Sequence, residues 1–128
     1  MVEQVSTDDA PNFEALPFSQ GTVHGDTVYT SGQVGIDPGT GEVVEGGIRA
    51  ETRQTLENVA AVLEAAGSSM DSALEATVFL TDMDGFDAFN DVYAEFVDEP
   101  CPARTAVEVS ALAGDLAVEI GMVAAVED

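Results

Sequence analysis

The chain has 128 residues, enough for one domain with one hydrophobic core, and 45% of them are apolar, as in ordinary globular proteins. It carries 25 acidic residues against three arginines and no lysine, so its formal net charge is −22. Such a surface repels nucleic acid phosphates and anionic lipid, which excludes both as expected partners. Concentrated salt screens carboxylates from one another, so this composition predicts a salt-in cytoplasm like that of a haloarchaeon.

The N-terminal stretch predicts neither export nor membrane insertion. Residues 1–13 lack the basic and apolar regions of a signal peptide, and no apolar run nears the roughly 20 residues of a membrane span. A single cysteine, Cys101, fits a reducing compartment, and we expect a cytoplasmic protein. Because it lies between two prolines ahead of a strand, Cys101 is expected to be a small buried hydrophobe, with a reactive thiol as the alternative.

The first half of the chain predicts two strands and a helix. The segment 17–37 has the pattern of a hairpin with its turn at "HGD", and a glycine-rich loop follows. A helix is expected over about 49–66, ending before Gly67. Its apolar stripe consists of Leu56, Val59, Leu63 and Ala66.

The second half predicts a strand at "LEATVFLTD", a helix over about 86–97 with Asp84 as its candidate cap, and two closing strands over about 103–110 and 117–126. The buried face of this second helix consists of Phe86, Phe89, Tyr93 and Phe96. The order β-β-α-β-α-β-β defines an α+β fold in which two helices cover one face of a mixed sheet.

Alternation along the two closing strands predicts which residues face the helices. In the first of them we expect the odd-numbered set beneath the helices, namely Ala103, Thr105, Val107 and Val109. Arg104 and Glu119 then lie on the opposite, mixed face of neighbouring strands. Small residues on that face allow another backbone to approach closely, so we expect a subunit contact there, with an open solvated face as the alternative.

Arg104 is a candidate for binding a carboxylate. Its guanidinium is a planar fork that binds a carboxylate through two parallel hydrogen bonds, which a lysine cannot do. Glu119 on the same face is able to hold or deprotonate a water beside such a ligand. An ordinary ion pair between Arg104 and one of the many acids is the alternative. The other two arginines, Arg49 and Arg53, lie one turn apart and are expected on a solvated helix face.

Four stretches, taken together and in order, resemble the RidA/YjgF family of imine deaminases. They are "YTSGQVGIDPGTGEV", the segment from "RQTLENV" to "FNDVYAEF", "PARTAVEVSAL" and the closing "VEIGMVAAV". The resemblance runs from about residue 15 to 126, which makes the whole chain, 1–128, a single domain of this kind.

The resemblance implies a chorismate-mutase-like fold and a homotrimer with sites between subunits. It also implies hydrolysis of 2-aminoacrylate and its tautomer 2-iminopropionate to a 2-keto acid and ammonia, without a cofactor. The family's carboxylate-clamping arginine corresponds to Arg104 and its water-positioning glutamate to Glu119. Its site serine, glycine and helix asparagine correspond to Ser31, Gly32 and Asn90.

Two positions depart from the family pattern. Phe18, in "LPF", stands where well-studied deaminases have a tyrosine, and Ala106 stands where they have a cysteine. Both are still expected to contact substrate, but the lost hydroxyl and thiol leave rate and substrate range open. The alternative is therefore a non-catalytic protein of the same fold that binds small carboxylates or acts as a stress-related holdase. With one histidine, His24, in a turn and no cysteine cluster, no metal site is expected.

Overall fold

The computed structural model describes residues 1–13 and 15–127, which form seven strands in one sheet and two helices. The strands are β1 (Glu3–Val5), β2 (Gly21–His24), β3 (Thr27–Thr30), β4 (Gln33–Val34), β5 (Ala73–Leu80), β6 (Ala103–Glu108) and β7 (Val118–Ala125). The helices are α1 (Gly47–Ala65) and α2 (Phe86–Tyr93). The predicted order of elements is confirmed, and the short strands β1 and β4 are additions to it.

Helix α1 forms where the apolar stripe predicts it. Leu56, Val59 and Leu63 are fully buried against the sheet. The helix ends at Ala65, and Gly67 follows with a φ of 84°, one that L side chains rarely adopt. There the N–H of Gly67 donates to the carbonyl of Glu64 and the N–H of Ser68 to that of Leu63, so the predicted glycine cap is correct.

The strand order in the sheet is β1-β2-β3-β7-β5-β6, with β4 also paired to β7. Only β5 and β6 run parallel, and α2 lies in the connection between them. The expectation that the two closing strands are neighbours is therefore wrong, because β5 lies between β6 and β7. Strand β7 thus occupies the middle of the sheet and pairs with three other strands.

Both helices cover one face of the sheet, and this face holds the core. The register places Arg104 opposite Ala76 and Ala106 opposite Val78, and both β5 residues are fully buried. The even-numbered residues of β6 consequently lie on the covered face, which reverses the predicted orientation. The set predicted beneath the helices (Ala103, Thr105, Val107 and Val109) instead lies on the uncovered side of the sheet or at its end.

Two ion pairs join the helices. Arg49 Nη2 lies 2.9 Å from Asp91 Oδ2, and Arg53 binds both carboxylate oxygens of Glu95 at 3.0 and 3.1 Å. The prediction that these arginines lie on a solvated face is confirmed, since both side chains are about half exposed, and their pairing with acids of the second helix adds to it. Because both acids lie on or just after α2, the pairs fix that helix to α1.

Helix α2 is shorter than predicted and begins differently. It ends at Tyr93 rather than near residue 97, and Asp82, not Asp84, caps the single turn before it by accepting from the N–H of Asp84. Its aromatic face is confirmed for Phe89 and Tyr93, which are buried. The two others, Phe86 and Phe96, are partly buried against the core.

Buried polar side chains of α1 hold the loops around the cleft described below. Asn58, fully buried, donates to the carbonyls of Val34 and Ile36, both at 2.9 Å. Glu51, also buried, accepts from the N–H of Ala117 at 2.9 Å. These bonds tie the segment after β4 and the approach to β7 to one rigid helix.

Two further observations concern expectations from composition. Cys101 is exposed, so its predicted burial is wrong: no strand or helix covers the segment between Pro100 and Pro102. In the described part of the chain, neither helix is long and apolar enough to traverse a bilayer.

Candidate active site

A cleft of about 530 Å³ opens where β4 and β7 meet the N-terminal segment. Four of the predicted site residues line it: Phe18, Ser31, Gly32 and Glu119. The remaining wall is formed by Phe13, Leu16, Val34, Ile36, Val43, Ala113, Gly114 and Leu116. Apart from Ser31 and Glu119, the named side chains are apolar or absent, so among the described residues of the lining Glu119 supplies the ionisable group.

Glu119 is positioned by the middle strand of the sheet. In register it lies opposite Phe79 of β5 and Val34 of β4, on the uncovered face. Gly32 packs against it so closely that a Cβ at this position would overlap the Glu119 carboxylate. The glycine therefore leaves the space that the carboxylate occupies, and any larger residue would push the carboxylate toward the cleft or away from it.

The backbone around Ser31 is held by a small network of hydrogen bonds. The Ser31 hydroxyl donates to the carbonyl of Ser19, and its N–H donates to the carbonyl of Gln20 at 2.8 Å. The buried Gln20 amide in turn donates to the carbonyls of Thr7, Ala10 and Pro11. Because its hydroxyl and its N–H both bind the segment just after Phe18, Ser31 fixes this wall of the cleft.

Arg104 lies on the covered face, against α2. Its Nη1 donates to Asn90 Oδ1 at 2.8 Å, and its guanidinium carbon lies 4.9 Å from the ring centre of Tyr93 and 5.7 Å from those of Phe86 and Phe89. Among residues 1–13 and 15–127, no carboxylate pairs with Arg104. The guanidinium is thus oriented by an amide and aromatic rings while most of its donors remain available to a ligand.

Tyr93 is the buried part of this arrangement. Its side chain is buried, its hydroxyl has no hydrogen-bond partner in the described residues, and burial raises its pKa although the positive charge of Arg104 opposes the shift. The neutral ring therefore serves as an apolar support beneath the guanidinium. Of the predicted substrate contacts, Asn90 binds Arg104 directly, and Ala106 lies two residues along β6 on the same face, packed against the core.

The predicted residues therefore divide into two groups that one chain does not bring together. Phe18, Ser31 and Gly32 accompany Glu119 in the cleft, whereas Asn90 and Ala106 accompany Arg104. The expectation that Arg104 and Glu119 share one face of neighbouring strands is wrong, because one lies on the covered face and the other on the uncovered face, with β5 between their strands.

Sequence reasoning missed the apolar wall of the cleft. Phe13 and Phe18, whose ring centres are 6.2 Å apart, and Leu16 belong to one short segment, and each is 41–53% exposed. Three large apolar side chains within "NFEALPF", interrupted by a proline, form a signal that neither a helix nor a strand explains. Val43, across the loop, lines the same cleft, but the sequence around it does not predict that position.

Comparison with known proteins agrees with this fold. A family model described as Endoribonuclease L-PSP matches residues 7–126. A RutC family protein of Pyrococcus horikoshii is 47% identical over 124 residues, covering 97% of this chain and 98% of its own. The human 2-iminobutanoate/2-iminopropanoate deaminase is 38% identical over 120 residues, covering 94% and 87%. The crystal structure of RidA from an Antarctic Psychrobacter superposes with a TM-score of 0.91 at 41% identity, covering 96% and 98%.

A sheet with two helices on one face, an arginine against the second helix and a glutamate over a glycine define a protein of the RidA-like class. The chain belongs to the RidA/YjgF family, whose model carries the L-PSP description. Relatives in this family include proteins named as imine deaminases. The halophilic origin predicted from composition gains no support from the relatives above and stays a prediction.

Proposed function

We propose that the chain assembles as a homotrimer and hydrolyses 2-imino acids to 2-keto acids and ammonia. In this proposal Arg104 of one subunit binds the substrate carboxylate, and Glu119 of a neighbouring subunit positions the attacking water. One observation carries the proposal: each chain has an arginine held by an amide and aromatic rings and a glutamate in an apolar cleft, on opposite faces of one sheet. Relatives named 2-iminobutanoate/2-iminopropanoate deaminase support the reaction.

The uncovered face supports the trimer. Tyr29 and Val107 lie on it with 50% and 39% of their surface exposed, and small residues such as Gly121 and Ala125 separate them. A sheet with helices on one side leaves such a face to solvent or to another subunit. In a head-to-tail arrangement around a threefold axis, this face of each subunit packs against the edge of the next. The three subunits then form a closed ring in which every such face is covered.

The chemistry follows from the groups available. A fork of two hydrogen bonds from Arg104 fixes the substrate carboxylate, which sets the imine carbon at a defined distance from the water on Glu119. Water adds its oxygen to the imine carbon while Glu119 takes one water proton and the imine electron pair moves onto nitrogen. Nitrogen then takes up protons, the carbon–nitrogen bond breaks, and ammonia leaves as the carbon–oxygen double bond forms. The enamine 2-aminoacrylate enters this sequence through its tautomer 2-iminopropionate.

Complementation between subunits tests the shared site. Arg104→Ala and Glu119→Gln proteins are prepared separately and by co-expression in one cell, and imine hydrolysis is measured in molar salt. Each protein alone is expected to be inactive. When equal amounts of the two chains assemble at random, about a quarter of all interfaces join an intact Arg104 to an intact Glu119, so about that fraction of wild-type activity returns. A mixture as inactive as its parents contradicts the division of the site between subunits.

The second candidate is a non-catalytic protein that binds a small carboxylate through the same residues or acts as a holdase. It is favoured by Phe18, which has no hydroxyl to orient a substrate, and by Ala106, which has no thiol. Wild-type trimer that binds 2-oxobutanoate but does not accelerate hydrolysis of the corresponding imine supports this candidate over the enzyme. The net charge of −22 opposes RNA as a ligand, and no RNA binding is expected at any salt concentration.

A further inference from the structure

The apolar part of the cleft extends well beyond the groups needed for the proposed chemistry. Hydrolysis of the smallest 2-imino acids requires Arg104, Glu119 and room for a methyl or ethyl group. Yet the cleft measures about 530 Å³, a volume within the range of sites for much larger ligands, and its wall adds Leu16, Val43 and Leu116 to the site residues.

The position of the apolar wall relative to Glu119 indicates which part of a substrate the wall would contact. Val34 is opposite Glu119 in register, and Ile36 follows two residues later, so apolar surface begins beside the carboxylate and continues away from it. Leu16 and Phe18 lie across the same space and remain 53% and 48% exposed. A substrate whose imine carbon lies at Glu119 would therefore direct its side chain along this wall.

We infer that the cleft selects 2-imino acids with branched aliphatic side chains, such as those derived from leucine or isoleucine, over 2-iminopropanoate. This inference rests on the proposed function. Each apolar carbon that leaves water against the wall strengthens binding, and a methylene in an apolar pocket changes specificity by about 10-fold or more. Glu119, which is charged and lines the cleft, disfavours a side chain that carries a carboxylate, so we expect acidic imino acids to be rejected.

The test compares two imines on one enzyme. D-Amino acid oxidase generates 2-iminopropanoate from D-alanine or 4-methyl-2-iminopentanoate from D-leucine, and keto acid release is followed with and without the trimer. We expect kcat/KM for the branched imine to exceed that for 2-iminopropanoate by about 10-fold or more. Equal or reversed values overturn the inference and leave the deaminase proposal standing, whereas no hydrolysis of either imine removes the proposed function itself.

Substitution of two leucines with the same exposure tests whether the apolar wall causes this substrate preference. Leu16 and Leu74 are both 53% exposed, but only Leu16 lines the cleft. In Leu16→Ala the ratio of the two kcat/KM values is expected to fall about 10-fold, because the branched substrate loses contact. Leu74→Ala is expected to keep the wild-type ratio, with light scattering used to check that both variants remain trimers.

The same two variants test the alternative that a neighbouring subunit covers the apolar wall. If a neighbouring subunit rather than substrate covers the wall, Leu16→Ala weakens the trimer and lowers both activities together without changing their ratio. That result overturns the inference. A falling ratio in an intact trimer supports it.

Discussion

The covered face of the sheet carries all three arginines on or against its helices, while the uncovered face carries Glu75 and Glu119 without an arginine. On the covered side, Arg49, Arg53 and Arg104 bind α2 or the turn after it. In a chain with 25 acidic residues, all three arginines therefore contact one helix or the turn after it. The difference teaches that Arg104 is already oriented by an amide and aromatic rings, whereas Glu119 lies on a face with no arginine and lines an open cleft.

The largest expected effect comes from removing salt, which acts oppositely on the two faces. Lower salt strengthens the pairs between α1 and α2, but it exposes the carboxylates on the uncovered faces of adjoining subunits to mutual repulsion. We expect light scattering to show trimer in molar potassium chloride, falling to monomer or unfolded chain in millimolar salt. A trimer and a melting curve unchanged between these conditions would be evidence against the halophilic interpretation.

Substitutions of Arg104 and Glu119 are expected to change different quantities: substrate binding and position for Arg104, and turnover for Glu119. Arg104→Lys keeps the charge but loses the planar fork, so activity falls on the order of a hundredfold through misplaced substrate, and Arg104→Ala falls further. Glu119→Gln slows turnover by about 10²- to 10⁴-fold because an amide cannot take a proton from water. Keto acid binding, measured by calorimetry, should weaken in the arginine variants and persist in Glu119→Gln.

Arg49→Ala is the control for this pair. It removes an arginine that also binds α2 but does not contact the site, so its kcat/KM should stay close to that of the wild type. Loss of activity in Arg49→Ala comparable to that in Arg104→Ala would show that total charge on α2, rather than the position of Arg104, governs activity.

A smaller change is expected from Gly32→Ala. The added methyl overlaps the Glu119 carboxylate, whose side chain is flexible enough to move, so turnover falls by about 10- to 100-fold through displacement of the base. Gly39→Ala, in an exposed turn outside the cleft, is the matched control and should leave turnover unchanged. Trimers of both variants should melt at similar temperatures, and a large loss of stability in Gly32→Ala alone would assign its effect to folding instead.

The smallest effect concerns the pair of Arg53 and Glu95 on the covered side. The hydrogen bond and charge of Arg53 lower the pKa of Glu95 from its ordinary value of 4.5. Its stabilisation is therefore complete above about pH 4.5 and is lost as pH falls through the lowered pKa. Arg53→Gln should melt slightly below the wild type at neutral pH, with the difference vanishing in acid and shrinking in molar salt. A difference that grows on acidification contradicts this.

Local patterns predicted the elements, and long-range pairing decided their arrangement. The stripe from Leu56 to Leu63 and the aromatic face of α2 are properties of neighbouring residues, and both helices form where predicted, although α2 is shorter. The insertion of β7 between β3 and β5 pairs residues as distant as Thr27 and Ala125, which no local pattern specifies. This insertion is why Arg104 and Glu119 were wrongly assigned to neighbouring strands.

The orientation of β6 failed for a different reason. The set with Ala103, Thr105 and Val107 is the more apolar, whereas the other set carries the charges of Arg104 and Glu108, so alternation pointed to the wrong face. What decides the orientation is the aromatic surface of α2, which accepts a guanidinium as readily as an apolar side chain. The candidate site residues rest on resemblance and stay a prediction, while their division between two faces required the structure.

The central position of β7 also sets an order of folding. The hairpin of β2 and β3, and the β5–α2–β6 unit, each consist of contacts between nearby residues and are able to form early. Neither unit contains Glu119, which arrives on the strand that joins them. The sheet closes and the Glu119 carboxylate takes its place in the same event, so we expect a folding intermediate that lacks β7 contacts to hold Arg104 in place before Glu119.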